Sequence, residues 1–68
     1  MEKGWERVYF SDKPHLVEIV RAILEGNQIS CVVVDKRDSS YITIGDVELY
    51  VKDKDIVLAK FLISKNNL

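Results

Sequence analysis

The stretch Lys13-Pro-His-Leu-Val-Glu-Ile-Val-Arg-Ala-Ile-Leu-Glu-Gly26 decides the fold. At about 100° per residue, Leu16, Val17, Ile19, Val20, Ile23 and Leu24 share one broad face. Glu18, Arg21 and Glu25 lie opposite. The spacing predicts an amphipathic helix over about 13–25, and its apolar face needs another layer to pack on. Ser11 or Asp12 is placed to cap its start. Pro14 fits the first turn, where its missing N–H is not needed. Gly26 reads as the left-handed terminator, with Asn27 behind it.

Working outward, Trp5 to Phe10 is rich in residues that favour a pleated surface. Strict alternation would put Glu6, Val8 and Phe10 on one face and Trp5, Arg7 and Tyr9 on the other. Downstream, Ile29 to Val34 is a β-branched run that reads as a covered strand. Val47 to Val51 alternates, with Val47, Leu49 and Val51 pointing one way and Glu48 and Tyr50 the other. Tyr41 to Ile44 has strand propensity, so the hairpin is expected to extend into it, with Gly45 at a bulge or turn. Asp53 or Asp55 can cap a second helix over about 54–64, and Lys65 to Leu68 reads as a fraying tail.

The order is β-α-β-β-α. A strand–helix–strand unit crosses over right-handed, and the hairpin returns the third strand antiparallel between the first two. The expected architecture is a two-layer α+β sandwich, a truncated ferredoxin-like arrangement with a three-stranded antiparallel or mixed sheet. The first strand is then an open edge. The whole of 1–68 forms a single domain.

At 68 residues, the chain buries only about 60% of the surface it exposes when unfolded. Cys31 is the only cysteine and His15 the only histidine. An internal disulfide and a Cys/His zinc site are therefore excluded. A partner subunit is the staple that remains, so a homo-oligomer is expected. Net charge is −1, with 10 Lys and Arg against 11 Asp and Glu. No basic stripe marks a nucleic-acid binder, and no apolar run is long enough for a membrane span. With one free cysteine and no export signal, the expected location is cytoplasmic.

The second helix is apolar nearly all round. Ile56, Val57, Leu58, Ala59, Phe61, Leu62 and Ile63 are interrupted only by Lys60. One sheet cannot cover so wide a stripe. Small proteins do tolerate some exposed apolar side chains. Val57 and Phe61, on one flank of the excess, are nonetheless the expected oligomer interface.

Little here suggests catalysis. His15 has no nucleophile in a sequence relation that argues for a pair. Cys31 sits in an apolar run, where a free thiol is usually a small inert hydrophobe, with redox sensing the less ordinary reading. There is no phosphate-binding Gly-rich loop and no nucleophile elbow. No cofactor or metal is indicated, and the chain is read as non-enzymatic. The connection from Asp35 to Asp46 is different in character. Lys36, Arg37 and Asp38 form a charge cluster, ordinarily a solvated turn. Ser39, Ser40 and Tyr41 follow; two hydroxyls beside two cations can hold an anionic or polar ligand. The ordinary alternative is that the serines stabilise the turn and Tyr41 packs on the sheet.

These residues carry a family resemblance over nearly the whole chain. Trp5 with Val8-Tyr9, Glu18-Ile19-Val20, Ile23-Leu24-Glu25, Gly26 and Ile29 belong to it. Its most specific part is Lys36-Arg37-Asp38-Ser39-Ser40-Tyr41 followed by Gly45-Asp46-Val47-Glu48-Leu49-Tyr50-Val51, and Ala59 fits as well. The chain resembles the small bacterial family of putative prokaryotic signal-transducing proteins. That resemblance implies a cytosolic α+β domain similar to the nitrogen-regulatory PII proteins, trimeric sensors with a functional loop between their second and third strands. It implies no particular ligand, and nothing matches the PII nucleotide-binding residues. Val57 and Phe61 stand where such relatives are usually polar. The expected function is a regulatory module that recognises a protein partner or small ligand through residues 36–45. The alternative is a small-anion or metabolite sensor using Lys36, Arg37, Ser39 and Ser40.

Overall fold

Alternation in Val47-Glu-Leu-Tyr-Val-Lys52 builds the centre of the molecule. In the computed structural model, which describes residues 4–35 and 47–68, this segment is the middle strand of the sheet. Among the described residues the elements are β1 (Trp5–Ser11), α1 (Pro14–Gly26), β2 (Cys31–Asp35), β3 (Val47–Lys52), a 3-10 turn (Asp53–Asp55) and α2 (Ile56–Lys65). The strand order is β1-β3-β2, and both neighbours run antiparallel to β3. This is the small α+β ferredoxin-like arrangement expected from the element order, with an antiparallel sheet. Among the described strands, β2 as well as β1 lies at an edge.

The helices cover one face of the sheet. Val47, Leu49 and Val51 point into that layer and are buried. They meet Val17, Val20 and Leu24 of α1 and Ala59 and Leu62 of α2 in one core cluster. The apolar face of α1 is narrower than its sequence suggests. Ile23 packs only partly, and Ile19 is exposed, because it points away from the sheet. Glu18 and Glu25 pair with Arg21 at 3.0 and 3.3 Å along the solvent side. The Glu25 hydrogen bond and charge, helped by Glu18, hold the Arg21 guanidinium above its usual pKa.

The alternation expected in β1 breaks at Val8. Arg7 pairs with Tyr50 and Tyr9 with Leu49, so one residue is inserted between them. A bulge of this kind re-aims the side chains beyond it. Tyr9 therefore turns to the helix layer with Val8, and Phe10 joins Arg7 on the opposite face.

Both helix ends depart from expectation in the same way. Gly26 is the last residue of α1, and the left-handed residue is Gln28 at φ 65°. Gln28 N–H donates to Glu25 O and Ile29 N–H to Leu24 O, both at 3.0 Å. This is a Schellman closure, with buried Ile29 and Leu24 as its apolar contact. Residues 65–68 do not fray. Asn67 has φ 59°, its N–H donates to Ser64 O and Leu68 N–H donates to Ile63 O, both at 3.1 Å. Asn27 and Asn66 add side-chain bonds of 2.8 Å to the carbonyls of Ile23 and Leu62. The starts are plainer. Lys13 and Asp55 are the N-caps, neither with a side-chain cap bond, while Ser11 Oγ accepts from Lys13 N–H at 3.0 Å.

Two stability changes should result. Leu24→Ala removes a fully buried side chain and should cost about 2–5 kcal/mol in urea denaturation, more than the same truncation at half-buried Ile23. Gln28→Gly relieves a left-handed non-glycine residue. Its gain, set against the entropy glycine adds to the unfolded chain, should be a net stabilisation of about 0.5 kcal/mol, read as a higher urea midpoint.

Candidate functional site

The polar chemistry of the described residues gathers on the sheet face opposite the helices. Trp5, Arg7 and Phe10 of β1, Glu48, Tyr50 and Lys52 of β3, and Val32 and Val34 of β2 share it by register. Glu48 is its centre. Its residue is only 6% exposed, although neither α1 nor α2 lies over this face. A buried carboxylate must be paired and hydrogen-bonded to be tolerated. Arg7 Nη1 lies 3.1 Å from Glu48 Oε2, and Tyr50 OH donates to Oε1 at 2.9 Å.

The bulge at Val8 makes this grouping possible. Arg7 and Phe10 are three residues apart and would fall on opposite faces of a regular strand. With the extra residue both face the same way. The Arg7 guanidinium then reaches Glu48 diagonally across the strand pair and also stacks over Phe10, 4.6 Å from the ring centre. Lys52 lies 5.8 Å from the Trp5 ring centre. Phe10 is exposed, and about half of the Arg7 side chain is in solvent. The face thus presents a cation and an aromatic ring, oriented from beneath by a carboxylate. Alternation placed Glu48 and Tyr50 on this face, but the burial of Glu48 and its pairing with Arg7 had no signal in the sequence short of the bulge.

Asp35 and Val47 pair at the end of the β2–β3 ladder, so the connection leaves and re-enters the sheet there. Lys36, Arg37, Asp38, Ser39, Ser40 and Tyr41, together with Gly45 and the strand expected over 41–44, lie outside the described residues. Val57 and Phe61, at 79% and 59% exposure, stand out from α2 away from this face. His15 is exposed in the first turn of α1. Among the described residues, no three His, Cys, Asp or Glu side chains converge in a way that could hold a metal ion. No helix of the described residues is long and apolar enough to cross a membrane.

Cys31 faces the helix layer opposite Val51 and is half-buried. Burial, with Glu25 and Asp55 adding to it and Arg21 opposing, pushes its thiol up to about 11. Its Sγ donates to Ile29 O at 3.5 Å. The thiol is therefore protonated at neutral pH and a poor nucleophile.

The model of a family described as "Putative prokaryotic signal transducing protein" matches residues 5–67. The chain belongs to that family. Nothing among curated proteins or solved structures matches it.

The raised thiol carries a pH consequence. An unfolded thiol releases its proton near pH 9, whereas the folded one holds it to about 11. Between these values the unfolded state binds fewer protons, so stability should fall as pH rises. Below pH 9 this group contributes no slope. Urea midpoints measured across this alkaline window should decline in the native chain and decline less in Cys31→Ala.

Proposed function

We propose that this chain is a non-catalytic signal-transducing module of the cytoplasm, related in plan to the PII proteins. Its recognition surface is the 36–45 connection together with the bordering sheet face at Arg7 and Phe10. The family description supports a signal-transducing role and names no ligand. The single observation behind the surface is the exposed Arg7–Phe10 pair, whose guanidinium is bonded to buried Glu48. Phe10 lies opposite Glu48, one residue from the point where the connection returns to β3. Loops carried on a rigid sheet are where recognition residues commonly sit. A guanidinium held over an aromatic ring is a ready contact for a carboxylate or phosphate of an incoming group.

A narrower reading is favoured by the cation count. Lys36 and Arg37 bring two positive charges, Ser39 and Ser40 add hydroxyl donors, and Arg7, though paired with Glu48, is half in solvent with further N–H donors. That set suits a small anion or anionic metabolite. Backbone chemical shifts decide between a protein partner and a small ligand. Titration with inorganic phosphate and with nucleotides should move residues 36–45, Arg7 and Phe10 if the module is a small-anion sensor. A silent titration, with a protein captured by the native chain, favours a partner module.

Lys36→Ala combined with Arg37→Ala should leave the unfolding free energy from urea denaturation within about 0.5 kcal/mol of native and should weaken the interaction found. Arg7→Ala should weaken the same interaction. Unchanged binding in both variants, or unfolding of the double variant, defeats the assignment of this surface.

A further inference from the structure

The outward side of α2 repeats every three or four residues. Lys54, Val57, Phe61 and Ser64 follow the 3-4-3 spacing of a helix–helix seam, and all four are exposed. They lie opposite Ala59 and Leu62, which face the core. Leu58, 48% exposed, flanks the seam. The sheet cannot cover this ridge, because it points away from it.

We infer that the ridge is the docking surface for a second copy of this chain, with the two α2 helices packed antiparallel about a two-fold axis. The charge order along the helix chooses this occupant. Asp53 and Asp55 flank Lys54 at its start, which is net negative, and Lys65 stands in its last turn. An antiparallel pairing centred on Ala59 sets Val57 against Phe61 of the partner subunit. The same register sets Asp53 against Lys65 of the partner subunit at both ends of the contact. Helix dipoles also oppose in this arrangement. A parallel pairing would place acid on acid and base on base. The surface is thus self-complementary in the antiparallel orientation, which closes as a two-fold dimer. An anionic lipid surface would gain from Lys54, Lys60 and Lys65 but would meet Asp53 and Asp55 at the same ridge.

The contact is short, so the dimer is weak and should be half-formed at about 0.1–1 mM protein. Sedimentation equilibrium of the full chain over that range should show the mass rising from 7.8 kDa toward twice that value. Phe61→Glu, at an exposed site, should keep the native circular dichroism and raise the dissociation constant by about tenfold or more. Lys65→Asp should also weaken the dimer, and Lys65→Asp with Asp53→Lys should restore it. A single 7.8 kDa species throughout overturns the inference. So does a dimer that Phe61→Glu leaves intact, or one that the double charge exchange does not rescue. Binding of the monomer to anionic vesicles without self-association would overturn it as well, and would assign the ridge to a lipid surface.

Discussion

The structure depends on β3 lying in the middle of the sheet. Among the described residues, β1 and β2 each find their ladder partner in β3 and nowhere else. An isolated two-stranded hairpin is marginal in water, so the third strand and the helix layer are needed together. The helix-facing residues of β3 are accordingly the most completely buried in the sheet. The central position also explains Glu48. With strands on both sides, Glu48 stands between Phe10 and Val34 in the register, and Arg7 of the neighbouring strand is within its reach.

The closure of the two helices follows from the size of the chain. A core this small cannot spare a mobile helix end beside it. In both helices a cap asparagine bonds back to the preceding turn, and the next residue takes the left-handed conformation. The following apolar residue then donates to the carbonyl five residues before it. In α1 that residue is Ile29, which enters the core and sets the chain on course for β2. The motif thus converts a helix end into the start of the next layer.

How much was legible in the sequence depends on whether a signal was periodic. The existence of α1 and the alternation of β3 rest on repeating patterns and read directly onto the structure, while the apolar face of α1 proves narrower than its pattern, with Ile19 left exposed. The bulge at Val8 does not repeat. It is a single insertion, visible only against the register of β3, and it moved Phe10 to the face that carries Arg7. Gly26 was a plausible terminator by composition. The backbone instead uses Gln28, because the hydrogen bonds of the closure fix which residue turns left-handed. For the site, the charge cluster from Lys36 to Tyr41 was legible as composition. The Glu48 cluster was not, since Val47-Glu48-Leu49-Tyr50 yields a buried ion pair only when β1 is laid beside it.

The proportions of the two layers account for the unusual second helix. Adjacent packed helices lie about 8–10 Å apart, and adjacent strands about 4.8 Å apart. Three strands therefore span about 10 Å between the outer axes, enough to support two helices from below and nothing more. Neither helix can turn a second apolar side into the core. In α1 the outward side mostly obeys this limit, with Glu18, Arg21 and Glu25 linked to one another in solvent and Ile19 the exception. In α2 the same outward position holds Val57 and Phe61, which add nothing to the fold beneath them. A helix that followed only the needs of this sheet would carry polar side chains there. The two helices thus differ on their outward sides, and the dimer proposed above would give the apolar side of α2 a cover that this sheet does not.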